Sequence, residues 1–488
     1  MGKFNGNAQG GGRFAAVRGD GSRKRCSAGK QILFSVLLLM DLFLLYTIIM
    51  QLTHRQKAFE ASQTVNIALL AVLALGAAAL IWAVIRSKAW KRLLCLFLIF
   101  AICYVTAVFS DLPLIKEYRE RWISTAWSTM RHQGLATYYF PPSVVQEVTE
   151  REAKGRDAQV GDNTVDDFNA DADVHIWTDP TDSNAPTMDT GFEELDAEQK
   201  AFYALFYELD IDSAEAYFQA HPEALANGYG SVDINESSLK KDGTDIYTRL
   251  GEKVLAIDTR NQVLLLEVDC DGSRGVLAIA KLPSRLHLYP ASNLPYRGET
   301  AGVIAKRNGG ILALTGSGFE DEGGVGNGGQ VCGYAMCDGK EYKGTPFKWG
   351  YKRLEMRGDK HWFYITDTFD PVNKETTDAM EFSPALLING KKLDPGIWTS
   401  QNPRACIGQS KRDEILMLAV EGRTLASPGC SVTVCAEVLL RHDGITAMNC
   451  DGGTTAIMWY KGEPVMRCSN AAIPEGRHLP NAWVYVGE

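Results

Sequence analysis

Two carboxylates stand where a sheet would offer them to a ligand. Glu421 closes the apolar run 415–420, and Asp451 follows a second run at 447–450. Between them, 431–442 has helical spacing, opened by Ser431 as an N-cap and followed by Gly444. Strand, helix and strand within about 35 residues describe a crossover whose strands run parallel, so both acids emerge at the same carboxyl edge, where open sheets bind ligands. Paired directly, such strands lie about 4.8 Å apart, which would bring the acids within the roughly 5–9 Å used by acid/base pairs at glycosidic bonds.

The residues after each acid suit an anion. Gly422-Arg423 follows the first, and Gly452-Gly453-Thr454-Thr455 follows the second, where a Gly-Gly turn can aim backbone N–H groups outward and hydroxyls add donors. The plainer reading, that Asp451 caps a turn and the glycines serve a tight bend, fits the same residues. Upstream, 401–409 introduces another strand that turns at 411–413 into 415–420, placing Arg404 and Gln409 on a hairpin beside Glu421. A guanidinium there could grip a phosphodiester in bidentate fashion, or Arg404 could be a solvated surface residue; Arg477, near Pro480-Asn481, offers a second cation. The loop 316–329 is dense in glycine and carries Glu320, Asp321 and Glu322. It could approach a ligand through its backbone, hold a Ca²⁺ through its carboxylates, or form a rim. No other cofactor and no transition-metal site is expected, because no cysteine has zinc-ligand spacing with a histidine.

The elements that must position these groups begin near 245. Strand-like segments at 254–257, 263–268 and 276–280, separated by Asn, Asp and Gly, lead to a helix at 299–307 closed by Gly309 and Gly310. Strands and helices then mix to the end, so 245–488 is expected to be a mixed-sheet globular domain of α/β to α+β class. Ahead of it the chain divides into a basic tail (1–30), three apolar runs within 31–110, a membrane-proximal helical segment (111–143) bearing Trp122 and Trp127, an acidic disordered spacer (144–190), and a helical connector (191–244).

The apolar runs at 31–52, 65–85 and 93–109 each approach the roughly 20 residues that span a bilayer. Asp41 is their one carboxylate, expected to pack against helix backbone or to be protonated rather than to serve transport. Basic residues dominate the tail and the loop at 86–92, which places the N-terminus in the cytoplasm and, after three crossings, the large domain outside a cell membrane. The net charge of -9 therefore resides outside, which argues against nucleic acid as a partner. Cys270, Cys332, Cys337, Cys406, Cys430, Cys435, Cys450 and Cys468 fall in that outer part, where Cys332 with Cys337 and Cys430 with Cys435 are disulfide candidates and buried thiols the alternative. Cys435 and His442 share a helix without an orienting third group, so they make a poor nucleophile pair.

Taken together, Gly316–Asp321 with Asn327-Gly-Gly, Asn402-Pro-Arg404 with Ile407-Gly-Gln409, Gly422-Arg423 with Ser427 and Gly429, Asn449-Cys-Asp-Gly-Gly453, and Arg477 with Pro480-Asn481 resemble the phosphodiester glycosidase family. The likeness runs from about 245 to the C-terminus, and the region 122–139 is similar to bacterial members labelled as exopolysaccharide biosynthesis proteins. An animal member removes N-acetylglucosamine from a mannose phosphodiester. The resemblance implies Asp451 as the leading catalytic carboxylate, Arg404 and Arg477 as phosphate holders, and Gly452, Gly453 and Gln409 as pocket residues. Thr315, Glu421 and Val434 depart from the family's usual Asn, Asp and Glu, and Glu437, one turn beyond Val434, could stand in. The expected site is thus Asp451, Glu421 and Glu437 for catalysis, with Arg404, Gln409, Arg423, Gly452, Gly453, Thr454, Arg477 and Asn327 around the phosphate. The expected activity is hydrolysis of a sugar-1-phosphodiester in an anionic envelope glycopolymer. The rival is a membrane-tethered scaffold that binds such a polymer without cutting it.

Overall fold

The computed structural model describes residues 27–54, 58–59, 61–129, 132–162, 194–236, 243–321, 324–344, 351–392 and 400–488. The chain forms two compact units, one of residues 1–54 and 61–109, the other of 55–60 and 110–488. In the first, helices α1 (Ala28–Thr53), α2 (Gln63–Ser87) and α3 (Trp90–Phe109) are each long and apolar enough to cross a membrane. Their apolar side chains stay largely uncovered, as at Leu75, 74% exposed, and Ile85, 69% exposed, which is the pattern of a lipid-facing surface. Asp41 lies against Gly76 of α2, where a Cβ would sit 3.2 Å from its Oδ1. The small residue leaves room for the carboxylate, in line with the expected packing on helix backbone.

The second unit opens with α4 (Pro113–Trp127), started by Pro113 in its first turn, then α5 (Gly134–Thr137) and α6 (Pro142–Asp162). The start of the expected spacer is therefore helical. Val144, Val145 and Val148 recur at helical spacing and pack with Ile123, Ala126 and Ala136, burying enough surface to order a segment whose composition looks polar. Residues 163–190, the rest of that spacer, lie outside the described residues, as do 191–193 of the expected connector.

Beyond it, a nine-stranded sheet runs in the order Asp233–Asn235, Lys253–Asp258, Val263–Asp269, Arg274–Ala280, Ile415–Val420, Arg404–Ser410, Gly444–Asn449, Ala385–Ile388, Lys391–Lys392. Two five-stranded sheets complete the domain. One orders Trp362–Asp367, Lys352–Arg357, Thr376–Phe382, Tyr334–Cys337 and Lys340–Lys343; the other Glu463–Pro464, Met458–Tyr460, Gly310–Thr315, Asn481–Val486 and Leu286–Pro290. The central strands read as unbroken apolar runs because both faces are covered. Ile415, Met417 and Ala419 join one core with Leu314 and Trp483, while Leu416, Leu418 and Val420 join another with Phe202, Phe206 and Leu439. The helices Ala197–Leu205 and Ile211–Ala220, expected as a connector, thus belong to the domain's own core.

The crossover is present with one addition. Arg404–Ser410 pairs antiparallel with Ile415–Val420 on one side and with Gly444–Asn449 on the other, so the two outer strands are parallel but do not touch. Two spacings of about 4.8 Å then separate the ends that carry Glu421 and Asp451.

Candidate active site

Asp451 leaves its strand at a turn held from several directions. Its N–H donates to the Gly316 carbonyl at 3.1 Å, the Gly452 N–H donates to Oδ1 at 3.1 Å, and the Thr455 hydroxyl donates to Oδ2 at 2.9 Å. Gly453 adopts φ +68°, which favours glycine, and a Cβ there would lie 3.1 Å from the Arg423 guanidinium, so a side chain would press on that group. Thr315, one of the departures from the family pattern, braces the same turn: its hydroxyl donates to the Thr455 carbonyl at 2.5 Å and accepts from the Ile457 N–H at 3.3 Å. Asn481 fixes the facing loop, accepting from the Ser317 N–H at 2.8 Å and donating to its hydroxyl at 3.0 Å.

Burial is the main cause that pushes the Asp451 carboxyl up to about 6; Thr455 and Arg477 pull it down and Asp321 pushes it further up. Arg477 forks onto Asp321, with Nη1 2.5 Å from Oδ2 and Nη2 2.7 Å from Oδ1, donates to the Gly326 carbonyl at 2.9 Å, and lies 4.9 Å over the Phe319 ring. That fork raises the Arg477 pKa and holds a carboxylate and a guanidinium together within electrostatic reach of Asp451. Burial, then Glu320, Asp451 and Asp321, push the Cys332 thiol up to about 11, so it stays protonated and is no nucleophile.

Arg423 reaches the other side of the turn. It donates to Thr454 Oγ1 at 3.3 Å and to Asn402 Oδ1 at 3.2 Å, both neutral, and among the described residues no carboxylate pairs with it. Although the residue as a whole stays exposed, its guanidinium is desolvated by the surrounding protein and then repelled by Arg404, and both lower its pKa. This is an uncompensated cation beside Gly453 and Thr454, the arrangement that recruits an anion.

The other expected residues are placed as follows. Glu421 is buried and engaged, accepting from Arg274 at 3.0 Å and from the Arg467 N–H at 2.9 Å. Arg404, also buried, spends its donors on the Cys430 carbonyl at 3.0 Å and on the carbonyl and hydroxyl of Ser400 at 2.7 and 3.0 Å. Gln409 lies at the far end of the same strand, accepting from the Phe363 N–H and donating to the His361 and Asp413 carbonyls. Glu437 faces outward from the helix Val432–Arg441 onto Lys392, 2.7 Å away. Asn327 ties its own loop together through the Tyr296 carbonyl and the Gly329 N–H. The Gly452 and Gly453 N–H groups are spent on Asp451 and, at 2.9 Å, on the Pro403 carbonyl, so these amides are not left for a ligand. The structure therefore gathers Asp451, Arg423, Thr454 and Arg477 and leaves Glu421, Arg404, Gln409 and Glu437 to other partners.

Sequence reasoning missed Asp321 as the partner of Arg477, Thr455 as the donor to Asp451, and Asn402 as the acceptor for Arg423. The acidic loop drew attention to Asp321, but no spacing rule links it to a residue 156 positions away. Among the described residues no group of three His, Cys, Asp or Glu side chains is arranged to hold a metal ion, and Asp321 is taken by Arg477. Glu322, the loop's third acid, lies outside the described residues. All described cysteines are free thiols, with Cys430 and Cys435 sulfurs 3.5 Å apart.

A domain of helices and antiparallel sheets thus holds a carboxylate of raised pKa, an ion pair and an arginine with neutral partners around one turn, groups of the kind that serve hydrolysis beside an anion. Residues 302–486 match the family described as phosphodiester glycosidase, and a match to that family points to hydrolysis of a phosphodiester-linked sugar. Among solved structures, the chain is similar to the catalytic domain of zebrafish N-acetylglucosamine-1-phosphodiester α-N-acetylglucosaminidase, auto-inhibited by its pro-peptide, with 17% identity over 46% of this chain and 82% of that one and a TM-score of 0.38. It is also similar to a hypothetical protein from Synechocystis (12% identity, 48% of this chain and 63% of that one, TM-score 0.32). A third likeness is to a protein of Burkholderia pseudomallei K96243 described as exported (11% identity, 48% and 76% covered, TM-score 0.33). No curated protein matches the chain.

Proposed function

We propose that the chain is a membrane-anchored hydrolase whose outer domain splits the bond between a sugar's anomeric carbon and a phosphodiester in a cell-envelope glycopolymer. The basic tail and the basic loop between the second and third spans support an N-terminus in the cytoplasm and a domain outside. One observation carries the chemistry: a carboxyl with a pKa of about 6 and an arginine that no described carboxylate neutralises flank the same three-residue turn.

Asp451 is the general base. A phosphate monoester leaves readily as an anion, so the harder task is to activate water, and a carboxylate with a pKa near 6 is ionised at neutral pH yet basic enough to take the proton. Water attacks the anomeric carbon, its proton passes to Asp451, and the bond from that carbon to the phosphate oxygen breaks with its electron pair on the phosphate. Arg423 and the Thr454 hydroxyl hold the phosphate, and Arg477, steadied by Asp321, keeps the base close to a positive charge. Arg404, Asn327 and the glycines hold the loops that frame it.

The test is to incubate the full chain in detergent with a sugar-1-phospho-6-sugar diester, beside Asp451→Asn. Sugar release by the parent and loss of about 10²-fold or more in the variant supports the reading. Equal binding without release by either protein would replace it with the scaffold.

A further inference from the structure

Asn402 joins the candidate site to the helix that follows the third apolar span. Its Nδ2 donates to Ser128 Oγ, just past α4, at 2.9 Å, and its Oδ1 accepts from Arg423 at 3.2 Å. The direction of this chain is fixed. Ser128 spends its own proton on the Thr125 carbonyl at 2.9 Å, so it can only accept from the amide, and that sets which end of Asn402 turns to the guanidinium. Beyond Arg423 the chain continues to Thr454 Oγ1, which also accepts from Ser469 at 3.2 Å.

The backbone around Asn402 is equally held. Gln401 N–H donates to Thr125 Oγ1 at 2.9 Å, and Asn402 and Cys430 exchange backbone hydrogen bonds at 3.2 Å. Gly429, at φ +106°, passes so close that a Cβ would lie 2.6 Å from the Asn402 carbonyl carbon. The loop bearing Arg423 is thus clasped on Asn402, whose side chain answers to α4.

We propose that Asn402 is a positioning residue that orients Arg423 for an anomeric phosphate, and that Ser128, and through it α4, is part of the binding apparatus rather than a plain tether. The proposal rests on the reading of Arg423 as the phosphate-binding cation. Without the Ser128 oxygen, the Asn402 amide is released to rotate and present its NH₂ to a guanidinium that needs an acceptor.

The experiment titrates the full chain in detergent with α-N-acetylglucosamine 1-phosphate, and with N-acetylglucosamine as the uncharged control. Ser128→Ala should raise the Kd for the phosphate about 3- to 10-fold, the range of one hydrogen bond's net worth. It should leave the control and the unfolding temperature unchanged, and Ser128→Thr should restore the parent's value. Combined with Arg423→Ala, it should add nothing further, because the chain acts through that arginine. Unchanged affinity in Ser128→Ala beside weakened affinity in Arg423→Ala would overturn the inference and spare the site. Unchanged affinity in Arg423→Ala, or no phosphate binding by the parent, would overturn both.

Discussion

Glu421 and Asp451 close two strands that point the same way in one sheet, but their surroundings differ in sign. Glu421 meets Arg274 and a backbone N–H, so its charge is answered where it stands. Asp451 meets a hydroxyl and its neighbour's N–H, lies in reach of Asp321, and has its pKa raised to about 6. Two arginines divide the same way: Arg404 is consumed by a hydroxyl and carbonyls, whereas Arg423 has neutral partners and a cation for a neighbour. What separates a site from a scaffold here is the charge left uncompensated, since the residue types are the same.

Asp451→Asn gives the largest break in that comparison, a loss of about 10²- to 10⁴-fold in turnover. In the parent, kcat/KM should climb with pH to a limb near 6 and then level, because the base must be ionised. A profile that falls above 6 would make Asp451 the acid. Stability carries the opposite sign. Between the ordinary carboxyl value of 3.8 and about 6 the folded protein keeps a proton that the unfolded chain has released, so this group's contribution falls as pH rises through that window. Asp451→Asn should flatten that part of a curve of unfolding temperature against pH.

The two arginines come next. Arg423→Ala should raise KM for the diester about 10-fold with little change in unfolding temperature, since it removes a charged contact to the substrate. Arg404→Ala takes the guanidinium from the Ser400 carbonyl and leaves the Cys430 carbonyl with the Asn402 N–H, and should cost about 1–3 kcal/mol of stability, read by chemical denaturation. If the two phenotypes are exchanged, the assignment of the phosphate to Arg423 fails.

Much of this was legible beforehand, for reasons that can be named. The crossover, the hairpin before it and the Ser431 cap follow from local pattern, and Ser431 does accept from the Val434 N–H. The strand Arg404–Ser410 between the two acids was not legible, because period-2 patterning gives a strand's faces but not its neighbours. Gln409 illustrates the cost: five residues along the strand from Arg404, it reaches the opposite edge of the sheet. The fork of Arg477 on Asp321 and the hold of Ser128 on Asn402 are long-range and polar, set by tertiary folding alone.

Glu421→Gln has a smaller effect than the arginine changes. It keeps the shape and the hydrogen-bonding oxygen but leaves Arg274 with Glu267 alone, 2.6 Å away, at a cost of about 1–2 kcal/mol by denaturant titration and with kcat intact. A fall in kcat would mean the engaged carboxylate still acts on substrate.

Glu437→Gln has the smallest expected effect and tests the same comparison from outside. Its carboxylate pairs with Lys392 on the helix face away from the core, with side-chain exposures of 55% and 34%. Exposed pairs of this kind contribute about 0.5 kcal/mol or less, because solvent screens the attraction and two long side chains must be held still. Turnover and unfolding temperature should therefore match the parent. Val434, one turn earlier, sits against the apolar core between sheet and helix. A measurable loss of turnover in Glu437→Gln would require this end of the helix to rotate toward Asp451, drawing Val434 off that core at the cost of its apolar contacts.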